Sequence, residues 1–184
     1  MPGKGTLTGV FALPSIYFDS RYPTILPGIV VSLAVAVMLA PRVARRLGAN
    51  RWHAWVLVAS LGVILALTIA PSRLALLEGP VGGIQCDTSR LLAPLATYLR
   101  RDDPLYNVLF FVPLGLAIGL LPRSRSRHAL TFAAFLLSPA IELTQALVVA
   151  IGRACETGDI ADNTLGLVIG LVLGNLLRRL FEAS

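Results

Sequence analysis

Apolar residues fall into five long runs, at 24–40, 52–70, 105–121, 128–151 and 163–177, each bounded by arginine, aspartate or proline. A membrane-spanning helix needs about 20 mostly apolar residues, with roughly 17 as the lower limit. The pattern therefore predicts an all-α integral membrane protein, a bundle of about five transmembrane helices. The third and fifth runs are the shortest and are rich in glycine. An earlier stretch at 7–18, broken by Pro14, is too short to span. It reads as an interfacial or re-entrant piece with Tyr17, Phe18 and Tyr22 at headgroup depth. Residues 91–100 read as a surface helix. Three parts follow: an N-terminal segment at 1–23, two spans with a long extracytoplasmic loop at 24–104, and a three-span core at 105–184.

Arginine density orients the bundle, because basic residues beside the ends of spans are retained in the cytoplasm. Arg42, Arg45, Arg46 and Arg51 follow the first run, Arg123, Arg125 and Arg127 follow the third, and Arg178 and Arg179 follow the fifth. These segments alternate, which places the N-terminus outside and the C-terminus in the cytoplasm. The loops at 71–104 and 152–162 then share the outer side, and they contain both cysteines, Cys86 and Cys155. On an oxidising face a disulfide between them can persist; the alternative is two unpaired thiols in separate loops. Gly115 and Gly119 make one GxxxG step, and Gly166, Gly170 and Gly174 make two more. In lipid such steps mark close helix approach, here expected within one bundle more than between copies.

Composition agrees: 55% of the 184 residues are hydrophobic and 14% charged, and the mean hydropathy is +0.75, which argues against a soluble domain. The net charge of +6 would raise the question of nucleic acid in a soluble chain. Beside apolar runs it reads as membrane orientation, and no nucleic acid is expected. Two histidines and two cysteines leave little for a zinc site. Lys4 precedes only the Pro14-broken stretch, so no cleavable leader is expected.

Against this background, polar residues in apolar runs stand out, since an ionisable group at membrane depth is costly and usually faces a bundle interior. Glu142 and Gln145 lie three apart on one face of the fourth run. Arg153, eleven residues beyond Glu142, falls on the same stripe if that helix continues through Gly152. Glu142 would then sit about 13 Å below the outer end at 1.5 Å per residue. Asn107 opens the third run, and Asn163 opens the fifth after Asp159 and Asp162. One outer-leaflet pocket can gather all seven side chains. Glu142 and Gln145 can instead be a hydrogen-bonded pair joining helices, and Asp162 and Asn163 can be caps of the fifth helix. Asp159 and Asp162 also offer oxygens to a divalent cation.

The motifs in the last three runs, NVLFFVPLGLAIG, SPAIELTQ and DIADNTLGLVIG, in that order and with Arg153 in the intervening loop, resemble the VanZ-like family of small bacterial membrane proteins. The resemblance covers residues 107–177. It implies a multi-pass protein of the bacterial plasma membrane acting at the cell envelope, in a family whose namesake is associated with teicoplanin-type glycopeptide resistance. It also implies a likeness to membrane enzymes that exchange or hydrolyse lipid headgroups at a phosphoester. Carried onto this chain, that likeness puts Asn107, Glu142, Gln145, Arg153, Asp159 and Asn163 in the site.

In that reading Arg153, with Arg100 or Arg101, holds a lipid phosphate, and Glu142 or Asp159 takes a proton from an attacking hydroxyl or water. Asn107, Gln145 and Asn163 orient the groups. The rival expectation is a non-catalytic protein that binds lipid, wall precursor or glycopeptide.

Overall fold

A computed structural model describes residues 22–80, 86–99 and 103–183. Helices α1 (Ile25–Leu47) and α2 (Arg51–Ile69) form a hairpin, followed by α3 (Arg73–Glu78), strand β1 (Cys86–Asp87), short α4 (Leu95–Leu99) and α5 (Asp103–Leu120). Helix α6 (Arg125–Leu147), a 3-10 turn at Val149–Ile151, strand β2 (Cys155–Glu156) and α7 (Thr157–Ala183) complete the described chain. α1, α2, α6 and α7 are long and apolar enough to cross a membrane, and α5 contributes a shorter apolar stretch, Pro104–Leu120. The fold is the expected all-α membrane bundle. Residues 7–18, with Tyr17 and Phe18, lie outside the described residues, as do Arg100 and Arg101.

Helix boundaries depart from the apolar runs where hydrogen bonding outranks hydropathy. α1 runs on through Pro41 to Leu47, places Arg45 and Arg46 in its last turn and stops at Gly48 with a left-handed φ of 62°. Cations favour that end of a helix dipole, so the arginines prolong the helix beyond hydrocarbon. α2 begins at Asn50, whose side chain accepts from the His53 N–H at 2.8 Å. The surface helix expected over 91–100 contracts to α4, which starts just after Pro94 because a proline disfavours helix at the preceding residue. α6 stops at Leu147, and Gly152 turns the chain with a φ of 58°. Arg153 is therefore in a loop, not on the α6 stripe. α7 begins at Thr157, so Asp159, Asp162 and Asn163 lie inside that helix and do not cap it.

Successive helices run up and down, so the bundle has an arginine end, where α1, α5 and α7 finish and α2 and α6 begin. The opposite end carries the Cys86–Cys155 disulfide. The core comprises Ile64, Phe111, Ile118, Ile141 and Leu167, each at most 2% exposed. Outward-facing apolar side chains such as Met38 and Phe132 are more than half exposed, as expected where lipid tails replace water.

The glycine steps join α5 to α7 within one molecule. Gly115 faces Gly170 and Gly119 faces Gly174, and a methyl group added at Gly166 would lie 2.0 Å from the Val108 carbonyl oxygen. No side chain fits such a contact, so the two backbones touch along a parallel seam.

Candidate functional site

At the disulfide end a cavity of about 200 Å³ opens between the last turn of α2, the first turns of α5 and α7, and the end of α6. Glu142, Gln145, Asn107, Arg153, Asp159 and Asn163 all line it, beside Tyr22 and Glu156. The sequence reading gathers these six together with Asp162 as a seventh. Asp162 does not line the cavity and sits behind its wall with a side chain 0% exposed.

α6 supplies the two side chains that the apolar pattern exposed. Glu142 is five residues before the end of α6, about 7.5 Å at 1.5 Å per residue, shallower than a helix reaching Ile151 would put it. It is 3% exposed, and its Oε2 accepts the backbone N–H of Glu156 at 2.9 Å. Gln145 donates through Nε2 to the Thr68 carbonyl at 2.9 Å, while its buried Oε1 has no hydrogen-bond partner. Burying an amide oxygen unpaired costs about 1–3 kcal/mol, and this one borders the cavity.

Arg153 reaches the cavity from the loop after Gly152. Its Nε donates to the Ala70 carbonyl at 3.1 Å and its Nη2 to that of Leu67 at 2.8 Å, and its guanidinium lies 3.9 Å above the Tyr22 ring. A cation at helix-terminal carbonyls is favoured, so Arg153 also closes the end of α2. Asn163 donates to the Ser138 hydroxyl at 3.0 Å between α7 and α6. This fixes the amide at the cavity wall, and Ser138, one helical turn before Glu142, becomes its support.

The expected disulfide between Cys86 and Cys155 is present, and around it lies a second layer that escaped the sequence reading. The disulfide pairs β1 with β2 in parallel, Cys86 opposite Cys155 and Asp87 opposite Glu156. Thr157 ties down the chain beyond by donating to the Arg90 carbonyl at 2.9 Å. Arg90 then lies 3.6 Å from Asp162, 3.7 Å from Asp159 and 3.9 Å from Glu156. Gly158 leaves room for it: a methyl there would be 2.7 Å from the Arg90 Nε. Tyr98 of α4 donates its hydroxyl to the other oxygen of Asp162. Burial, and then that bond to a carboxylate, raise the Tyr98 phenol above its ordinary range. Asp87 is held below the usual carboxylate range chiefly by the Ser89 backbone N–H.

Among the described residues, no group of three or more His, Cys, Asp or Glu side chains is placed to hold a metal ion. Near Asp159 and Asp162 the positive charge is the Arg90 guanidinium. The wall offers proton acceptors in Glu142 and Asp159, a fixed cation in Arg153, and amides in Asn107, Gln145 and Asn163. That set can bind and orient a small polar group and move a proton.

A family model described as VanZ/LLP1 matches residues 57–178, from within α2 almost to the end of α7 and so including every element of the cavity wall except Tyr22. The match reaches further towards the N-terminus than the three motifs at 107–177. No curated protein and no solved structure gives a match.

Proposed function

Because this chain belongs to the VanZ/LLP1 family, we propose that the cavity is a headgroup site acting on the phosphoester of a membrane lipid. The disulfide end then faces the outer leaflet, as the arginine distribution expects. The observation that carries the reading is the pairing of buried Glu142 with the unpartnered Oε1 of Gln145 on one small polar cavity. The unpaired amide oxygen favours a polar ligand beside the buried carboxylate, and a small polar cavity suits a headgroup.

In the proposed step a hydroxyl or water oxygen attacks phosphorus as the phosphorus–oxygen bond to the departing headgroup breaks. Glu142 takes the proton lost by the attacking oxygen and returns it to the departing alcohol oxygen. Arg153 faces the phosphate charge. Around the cavity, the carboxylates of Glu142, Glu156, Asp159 and Asp162 outnumber the guanidinium groups of Arg90 and Arg153 among the described residues. That excess favours a phospholipid whose headgroup carries an ammonium over a polyprenyl phosphate, which is purely anionic.

The family's association with glycopeptide resistance fits a role at the envelope. A cavity of 200 Å³, below the roughly 300 Å³ of ordinary small-molecule pockets, admits a headgroup and is too small for a glycopeptide.

Lipid mass spectrometry on the protein in nanodiscs of mixed phospholipids and polyprenyl phosphate, with and without a divalent cation, tests the reading. Wild type should change one headgroup class. Glu142→Gln should turn over about 10²- to 10⁴-fold more slowly, the usual worth of a general base, with the fold intact. An unchanged lipid profile in every condition with one lipid tightly retained would replace the enzyme by a binding module.

A further inference from the structure

The arginine end holds a second polar cleft, of about 400 Å³, between the start of α6 and the end of α7. Arg127 forms its floor. This arginine is nine-tenths buried, at 9% exposed, yet no carboxylate pairs with it among the described residues. Its Nη1 donates to the Leu121 carbonyl at 3.3 Å, and its Nη2 donates to Oδ1 of Asn175. Asn175 is itself oriented, because its Nδ2 donates to the Leu171 carbonyl at 2.7 Å. The guanidinium is thus aimed by neutral acceptors, and the carboxylate of Glu182 acts on its charge only without direct contact.

A buried ion without a directly paired counter-ion is unfavourable, and around Arg127 the arginines Arg178 and Arg123 outweigh the carboxylate of Glu182. Arg123 and Arg179 line the same cleft, with His128 beside them. The nearby carboxylate of Glu182 is engaged with Arg178 at 2.6 Å. Beside this polar floor the wall is apolar: Val172 and Leu176 line the cleft and are each 51% exposed. A ligand that completes the site carries a phosphate for the arginines and hydrocarbon for the wall.

We propose that this cleft binds the phosphate of an anionic phospholipid, seating the headgroup on Arg127 between Arg123 and Arg179 and the acyl chains along Val172 and Leu176. The site is independent of the cavity at the disulfide end. Basic pockets between membrane helices are suited to such headgroups, and each juxtamembrane arginine adds to the attraction of an anionic lipid.

The test is thermal unfolding of the full chain in a neutral detergent, titrated separately with short-chain phosphatidylglycerol, short-chain phosphatidylcholine and inorganic phosphate. Phosphatidylglycerol should raise the melting temperature saturably, and phosphatidylcholine should not. Arg123→Gln with Arg179→Gln, both exposed and outside the core, should melt as wild type does without lipid. That variant should bind phosphatidylglycerol about tenfold or more weakly, the loss expected for two such charges. Arg127→Gln should abolish the response. Equal shifts with both lipids, or undiminished affinity in the Arg123/Arg179 variant, would overturn the proposal. A shift with inorganic phosphate equal to that with phosphatidylglycerol would overturn the lipid as its source.

Discussion

Arg90 brings its Nη2 to 3.6 Å from Oδ2 of Asp162, a fully buried carboxylate oxygen with no hydrogen-bond partner. Replacing one member of a fully buried pair costs roughly 3–5 kcal/mol. Because Arg90 is 32% exposed, solvent screening reduces the expected loss for Arg90→Gln to about 1–2 kcal/mol. Asp162→Asn in that background removes the stranded charge and should recover part of the stability. A double-mutant cycle read by thermal unfolding measures the coupling, and strictly additive losses would mean that the pair is not a unit.

The seam between α5 and α7 makes a sharper demand. Gly166→Ala drives a methyl against the Val108 carbonyl, which belongs to backbone and cannot rotate aside. Overpacking of this kind costs about 1–3 kcal/mol. The variant should melt well below wild type, and the cavity should weaken with it because Asn107 and Asn163 sit on the two separated helices. Unchanged melting would show that the helices stand further apart.

Tyr98 gives the disulfide end an alkaline limit. Its phenol is raised above the ordinary value of 10.0, so the folded state binds this proton more tightly than the unfolded chain does. The stabilisation is complete below the unfolded pKa and is lost as pH rises through the folded value. Alkaline titration followed by phenolate absorbance should show a transition above the ordinary tyrosine value, and Tyr98→Phe should remove it.

Reducing the disulfide should release the chain around Arg90 from the start of α7. The bond spans 69 residues, for which the chain-entropy estimate is about 4 kcal/mol. Helices that stay inserted when tertiary contacts are lost leave a smaller entropy change, so that figure is an upper bound. Comparing Cys86→Ser, Cys155→Ser and wild type with and without reductant should give one common, lower melting temperature for all reduced or substituted forms. A reduced wild type that melts like the oxidised protein would remove the bond from the account.

The bundle was legible because hydrocarbon imposes length and composition on anything that crosses it. Glu142 and Gln145 were legible because polar side chains in such runs are rare. Arg153 was found for a reason the structure does not bear out: α6 ends before it, and the left-handed turn at Gly152 delivers it instead. The extents of α1 and α7 were missed because arginines at one helix end and aspartate at the other extend a helix past its apolar part. Arg90, Tyr98 and Ser138 were missed because their partners are distant in sequence. A signal did exist for Arg90. Once Cys86 and Cys155 are joined and the chains run parallel, residues at equal distance from each cysteine travel together. Arg90 and Asp159 are each four residues beyond their cysteine.

The contact along Gly115, Gly119, Gly166, Gly170 and Gly174 also decides where the molecule can yield. Two rods locked backbone to backbone move as a single beam, and that beam carries Asn107, Asp159 and Asn163 together. The opposite wall, α6, meets that beam through side chains, with Asn163 donating to the Ser138 hydroxyl at 3.0 Å, and not through touching glycine backbones. The separation of Asn107 from Asn163 is then set by backbone against backbone, while the positions of Glu142 and Gln145 relative to them are set by side-chain contacts that a single substitution can change.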